Sequence, residues 1–310
     1  MFRNHIQPFT LVLGGGGARG LAHIGVLKGL EKIGITPSLI VGTSMGALVG
    51  GMYAQLRSAE AIEEKLRKFL GGAFFKKIGL EQFPETDKKS SRSIWERFTA
   101  HLRQRYIFSR SALGSGMFAQ KTLLQSLRTL LDEADICDLP ILFAAVTSDL
   151  VTGKEHVFTS GSIITAVAAS SAVPGVVAPF AIGQNLFIDG KVTSTIPVPA
   201  ACALSKNPII AVDVRRSLGS FENYSHGFEV VIRAGDVTSY RLNDIHLHQA
   251  DIILKPDIGN IDWNEFNQID RCIQAGEQTV EENFKRLKDK FVKRQFSLSS
   301  WLRKYGLIKQ

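Results

Sequence analysis

The stretch Leu13–Gly46, LGGGGARGLAHIGVLKGLEKIGITPSLIVGTSMG, carries two glycine-rich turns within little more than one strand-helix-strand unit. The first, Gly14-Gly15-Gly16-Gly17-Ala18-Arg19-Gly20, follows the apolar run Phe9–Leu13. The second, Gly42-Thr43-Ser44-Met45-Gly46, follows Leu39-Ile40-Val41. An apolar run precedes each and a helix-like run follows, so both read as strand-to-helix turns. On neighbouring parallel strands, two such turns face each other across one crevice at the carboxyl ends of the strands.

The second turn has the form of a nucleophile elbow, G-x-S-x-G between a strand and an immediate helix. Leu39–Val41 supplies the strand and Met45–Leu56 the helix. Gly42 and Gly46 stand where the two crowd together, and Gly46, Gly50 and Gly51 let the helix sit close to the sheet. Ser44 is then the candidate nucleophile. The first turn also fits the dinucleotide fingerprint, as Gly15-x-Gly17-x-x-Gly20. That fold wants an acidic residue at the end of the second strand, where this chain has Gly42-Thr43-Ser44; Glu31 lies inside the intervening helix. Successive glycines instead leave their backbone N–H groups able to converge on one anionic oxygen, which makes the first turn a candidate oxyanion hole.

The surrounding chain reads as α/β with a mainly parallel central sheet flanked by helices. Its 45% hydrophobic content suits one large core in a single domain. Leu21, Ile24, Leu27, Leu30 and Ile33 recur at helical spacing, with Gly34 as the stop, and His23 in this helix reads as a structural polar residue. Residues 57–70 read as a charged surface helix. Ile141–Val146 reads as a central parallel strand, Thr147–Gly153 as a turn and Glu155–Phe158 as a strand. A helix is expected over Ile163–Ala169, and a hairpin over Phe180–Ile188 that ends at Asp189-Gly190-Lys191. Further strands are expected at Ile209–Val214 and Ile252–Leu254, and helices over 227–243 and 264–290. The uncharged run Ile163–Ile182 contains Pro174, Gly175 and Pro179, which argue against a membrane span.

Ser44 needs a base. Downstream stand His156, His226, His246 and His248, with the acids Asp149, Asp189 and Asp213. A Ser-His-Asp arrangement could draw on Asp189 or Asp213 with His246, although no turn chemistry singles out any of the histidines. Asp189 follows Leu186-Phe187-Ile188 and precedes Gly190, so its carboxylate stands at a strand end beside a flexible residue. Partial burial would raise its proton affinity toward the working range, which makes a Ser44–Asp189 dyad a second physical option.

Taken in order, Gly15-Gly16-Gly17-Ala18-Arg19-Gly20, Gly42-Thr43-Ser44-Met45-Gly46 and Asp189-Gly190 resemble the patatin-like phospholipase family, as do Thr147–Gly153 and Ala169–Gly175. The resemblance covers about residues 9–215. It implies a three-layer sandwich and a serine lipid acyl hydrolase with a Ser-Asp dyad, needing neither metal nor organic cofactor. It assigns Ser44 as nucleophile, Asp189 as general base, the N–H groups of Gly15, Gly16 and Gly17 as oxyanion hole, and Arg19 as the residue shaping that loop. The substrate would be a phospholipid, lysophospholipid or other fatty-acyl ester. A departure is Lys191, where the family generally has Gly or Ala; it could restrict the substrate, bind its phosphate or point to solvent. A lipid-binding regulatory protein with little turnover is the other class of reading.

Charge is unevenly spread. Of the net +8, residues 76–110 and 285–310 hold more than the whole, so the rest of the chain is net acidic. Residues 76–110, with Phe83, Trp95, Phe98, Tyr106 and Phe108 interleaved, read as an insertion or lid. Absence of any recognition motif argues against nucleic acid as the partner. Val280, Phe284, Leu287 and Phe291 form one helical stripe among basic residues. That stripe suits packing on the domain or, for residues 285–310, contact with an anionic membrane. Cys137, Cys202 and Cys272 are odd in number and widely spaced, and the N-terminus lacks an apolar signal core. Both suit a cytoplasmic protein, peripheral at the inner membrane face.

Overall fold

The computed structural model describes residues 2–78, 119–219 and 227–296. The expected lid and the chain beyond Phe296 fall largely or wholly outside these residues, as does His226.

An eight-stranded sheet forms the centre. Five of its strands run parallel: β2 (Thr10–Leu13), β3 (Leu39–Thr43), β4 (Leu142–Asp149), β8 (Ile209–Val212) and β9 (Ile252–Leu254). They lie side by side in the order β4-β3-β2-β8-β9. Alternate residues of these strands serve two cores, as period-two side-chain placement requires. Leu11, Leu13, Ile40, Phe143 and Ala145 face one helical layer, and Val12, Val41, Ala144 and Val146 face the other. The first layer contains α1 (Ala22–Lys32), α2 (Met45–Leu56), α3 (Ala59–Gly71), α4 (Ala73–Ile78), α5 (Gln120–Leu130) and α6 (Ile163–Ser170). The second contains α7 (Lys191–Ser194), α8 (Val198–Leu204) and α9 (Gly227–Leu247). Helix α10 (Ile269–Glu282) completes the first layer by packing on α1. The result is the expected α/β sandwich of three layers.

Strand β4 is longer than its apolar run suggests, for Thr147, Ser148 and Asp149 are strand residues and the turn begins at Leu150. The extension has a partner on each edge. β5 (Glu155–Phe158) pairs antiparallel with Ala145–Ser148 along one edge. The other edge holds β3 up to the Thr43–Val146 pair. Past that point the same edge takes β7 (Asn185–Asp189), which arrives antiparallel and pairs Asp189 with Thr147. β6 (Phe180–Ile182) completes the expected hairpin with β7. Thus β7 descends onto the carboxyl end of β3, and Asp189 follows Thr43 along the edge of β4.

Helix α1 ends as expected: Gly34 has φ +76, its N–H bonds to Glu31 O at 2.9 Å, and Ile35 N–H bonds to Leu30 O at 3.0 Å. Its contact with α10 is backbone on backbone. A Cβ on Gly25 would collide with the Ile273 carbonyl, and one on Gly276 with that of Ala22.

The C-terminal stripe divides. Helix α10 stops at Asn283, and α11 (Phe284–Phe291) follows; Val280, Leu287 and Phe291 are buried while Phe284 is exposed. Residues 292–296, which lie in the basic tail beyond the helix expected over 264–290, form strand β10 (Val292–Phe296), antiparallel to β1 (Phe2–Ile6). Phe291 O accepts from Gln7 N–H, and its ring lies 4.9 Å from that of Phe9. Lys290 Nζ and Arg286 Nη2 both bond to Asp251, just before β9. This region therefore sits at the amino ends of the parallel strands, the edge opposite Ser44.

Candidate active site

Ser44 joins β3 to α2 with φ 55 and ψ −122, one of two non-glycine residues with positive φ among those described. Such a conformation costs on the order of 1–3 kcal/mol and persists only where its surroundings enforce it. Several contacts do so. Ser44 N–H donates to Ser170 Oγ at 2.9 Å, and Ser170 Oγ donates to Val146 O at 2.6 Å. Thr43 Oγ1 donates to Ser194 O at 2.9 Å, and Ser44 O starts α2 by accepting from Leu48 N–H. Gly46 lies against the Leu13 carbonyl, and a Cβ on Gly42 would stand 2.5 Å from Gly46 O. The two glycines are demanded by crowding between strand and helix.

Asp189 closes β7, with its N–H donated to Ala172 O at 2.9 Å and Lys191 N–H donating to Oδ1 at 2.8 Å. The side chain is 1% exposed. Burial pushes its pKa up from 3.8 to about 6; the Lys191 N–H, the Ser44 side chain and the Lys191 charge pull in the other direction. No histidine is among the groups that shift it. Gly190 is not there for flexibility, as its place after the strand suggested. Its φ of −61 is ordinary helical geometry, but a Cβ would stand 2.5 Å from Val146 O.

The first glycine turn lies alongside Ser44, where a Cβ on Gly15 would come within 3.3 Å of the Ser44 Cβ. Its shape is set from all sides. His23 Nε2 bonds to Gly14 O at 2.7 Å, and Arg19 Nε to Gly16 O at 3.1 Å. Ala18 N–H bonds to Trp263 O at 2.7 Å, and Gly17, at φ +58, presses on that same carbonyl. Gly15 N–H is already donated to Thr195 O at 2.8 Å. Of the three N–H groups expected as oxyanion donors, that of Gly15 is therefore already bonded within the protein. Burial lowers the His23 pKa to about 4, against the Gly14 hydrogen bond and Asp213, so its ring is neutral and donates from Nε2. It is a structural residue of the loop.

A family model described as patatin-like phospholipase matches residues 11–202. The chain belongs to the patatin-like phospholipase family. An uncharacterized NTE family protein of Mycobacterium tuberculosis is 28% identical over 296 residues, 87% of this chain and 45% of that protein. The patatin-like phospholipase domain-containing protein 6 of Mus musculus is 30% identical over 210 residues, 67% of this chain and 14% of that protein. The chain thus spans less than half the length of these curated relatives. Among solved structures, VipD from Legionella pneumophila aligns with a TM-score of 0.47 at 13% identity, over 94% of this chain and 68% of that one.

The other base candidates among the described residues lie in different surroundings. Asp213 binds Arg215 through both carboxylate oxygens at 2.9 Å. Asp149 organises the β4–β5 turn, accepting from Val151 N–H, Thr152 Oγ1 and Leu186 N–H. His156 stacks among Phe158 and Phe187 at 4.5 and 4.8 Å. His246 lies near the end of α9, where burial lowers its pKa, and His248 is exposed just beyond. Lys191 ion-pairs with Asp236 of α9 at 2.7 Å and remains half exposed. Cys272 is buried beside the loop, where burial pushes its thiol up to about 11. Among the described residues no group of three or more His, Cys, Asp or Glu side chains could hold a metal, and no helix is long and apolar enough to cross a membrane.

Ser170, Thr195, Trp263 and Asp236 support the site through contacts that local sequence does not announce. Ser170 alone leaves a trace there, within the Ala169–Gly175 motif.

Proposed function

We propose that this chain is a serine lipid acyl hydrolase working through a Ser44–Asp189 dyad, on a phospholipid, lysophospholipid or other fatty-acyl ester. The observation that carries the reading is the register of β4, whose edge passes from Thr43 directly to Asp189 and so brings a buried carboxylate beside the strained serine. With a pKa of about 6, Asp189 is mostly ionised at neutral pH yet more basic than a solvated carboxylate.

Asp189 accepts the Ser44 proton as Oγ attacks the ester carbonyl. Negative charge collects on the former carbonyl oxygen, to which the Gly16 and Gly17 N–H groups donate. Arg19, donating to Gly16 O, and His23, donating to Gly14 O, hold the loop in its shape. Collapse returns the proton to the leaving alcohol and leaves an acyl-serine. Water then attacks that ester with Asp189 again taking a proton, which restores Ser44 and releases the fatty acid. Lys191 steadies the carboxylate through its N–H, while its ammonium group is turned to Asp236.

Hydrolysis of phosphatidylcholine vesicles and of a soluble p-nitrophenyl ester tests the reading. Wild type should hydrolyse both and Ser44→Ala neither; equal rates from the two proteins would refute it.

A further inference from the structure

Helix α9 is amphipathic in the inverted sense. Toward the domain it presents Ser239 and Asn243, both buried. Asn243 Oδ1 accepts from Ile196 N–H at 2.7 Å, and Ser239 Oγ donates to Lys191 O at 2.9 Å. Asp236 on that side pairs with Lys191, and Asp244, at the flank of the helix, pairs with Arg215. The opposite face carries Val230, Val231, Ala234, Val237, Arg241 and Ile245, spaced as one helical stripe. Val230, Val231 and Ile245 are at least half exposed, and Val237 more than a third. A helix that satisfies polar groups inward and shows valines outward has the wrong polarity for plain water.

The stripe adjoins the candidate site. Asp236 lies on the inner side of the same turns and holds Lys191, two residues past Asp189, and Val192 next to it is half exposed. We infer that the outer face of α9, together with Val192, is the surface by which the enzyme rests on the lipid layer containing its substrate. The inference rests on the hydrolase reading for the identity of that layer. Continuity with the candidate site supports this occupant: the stripe and half-exposed Val192 flank the turn that holds Asp189, Asp236 and Asp244 are paired with Lys191 and Arg215, and Arg241 adds a basic group within the stripe. Size disfavours a second copy. At 1.5 Å per residue the stripe is about 22 Å long and about 10 Å wide, far below the roughly 800 Å² per partner of a stable interface. The basic region of α11 and β10 is the other membrane candidate, but it lies at the opposite end of the strands, with Lys290 and Arg286 bound to Asp251.

The test uses full-length Ser44→Ala protein, so that binding is read without turnover, and vesicles of phosphatidylcholine with or without phosphatidylglycerol. Val231→Glu with Val237→Glu should reduce sedimentation with vesicles about tenfold or more, and Arg241→Gln should weaken only the phosphatidylglycerol-dependent part. In the active background the double variant should lose vesicle-lipid hydrolysis in proportion while keeping wild-type rates on a soluble short-chain ester. Its melting temperature should stay within about 2 °C of the parent. Unchanged vesicle binding would overturn the inference. So would a wild-type dimer that the substitutions dissociate, which would assign the face to a second copy, or a large loss of thermal stability, which would mean that the chain covers it itself. Should the protein prove inactive on every ester while its vesicle binding still depends on these valines, the hydrolase reading fails and the docking surface stands.

Discussion

Asp189 pairs with Thr147 immediately beyond the Val146–Thr43 pair, on the same edge of β4. One strand therefore sets the spacing between the end of β3, where Ser44 turns away, and the carboxylate that closes β7. Both candidate dyad residues are thus anchored in a buried sheet.

Strain at Ser44 separates chemistry from stability. Ser44→Ala and Ser44→Gly should both abolish ester hydrolysis, but glycine tolerates φ 55 without cost. Ser44→Gly should be about 1 kcal/mol or more stable than Ser44→Ala by urea unfolding. Equal stabilities would show that the elbow is unstrained.

Removing Ser170 Oγ leaves both Ser44 N–H and Val146 O without their partner. Ser170→Ala should cost about 1–3 kcal/mol in unfolding free energy and lower kcat more than it raises KM, because the elbow loses its anchor. Stability loss with unaltered kcat would show that Ser170 supports the fold alone.

Asp189→Asn carries two opposite signs. Activity should fall by orders of magnitude, whereas stability at neutral pH should rise. Between pH 3.8 and about 6 the unfolded chain has released this proton and the native chain has not, so the wild-type contribution falls as pH rises through that window. The full difference is on the order of 3 kcal/mol. His23 works the other way: unfolded histidine gains a proton below its ordinary 6.5, and the buried ring only near 4, so stability is lost as pH falls. In Asp189→Asn the His23 slope should stand alone, giving a steeper loss of stability from pH 6.5 toward 4 than in wild type. Wild-type kcat/KM should rise with pH around an inflection near 6 and then level.

A dyad makes the histidines dispensable. His156→Ala, His246→Ala, His248→Ala and His226→Ala should each retain most activity on a soluble ester. Loss comparable to that of Asp189→Asn in any of them would point to a triad.

Close approach of α1 and α10 should make Gly25→Ala and Gly276→Ala each cost at least about 2 kcal/mol in unfolding free energy. Gly71→Ala, where an added Cβ meets nothing, serves as the control.

Much of this architecture is legible in the sequence because glycine leaves a mark where backbone geometry is extreme. Both turns, their flanking strands and the helix from Met45 follow from local spacing. The descent of β7 onto the end of β3 does not, because it is set by a pairing between residues 147–149 and 187–189 that nothing local announces. Gly190 reads differently in the fold for a related reason: what excludes a side chain there is Val146 O, distant in sequence. The family resemblance makes Gly15 an oxyanion donor, yet Thr195 O takes its N–H. The stripe from Val280 to Phe291 is legible, but its break at Asn283 and the strand at Val292–Phe296 depend on the N-terminal segment it meets.

Covalent labelling by a fluorophosphonate, followed by intact and peptide mass spectrometry, tests the dyad most directly. Wild type should gain one adduct, mapped to Ser44, at a rate that rises around pH 6, and Asp189→Asn should react on the order of a thousandfold more slowly. An adduct on another residue, or Asp189→Asn labelled as fast as wild type, would contradict the account.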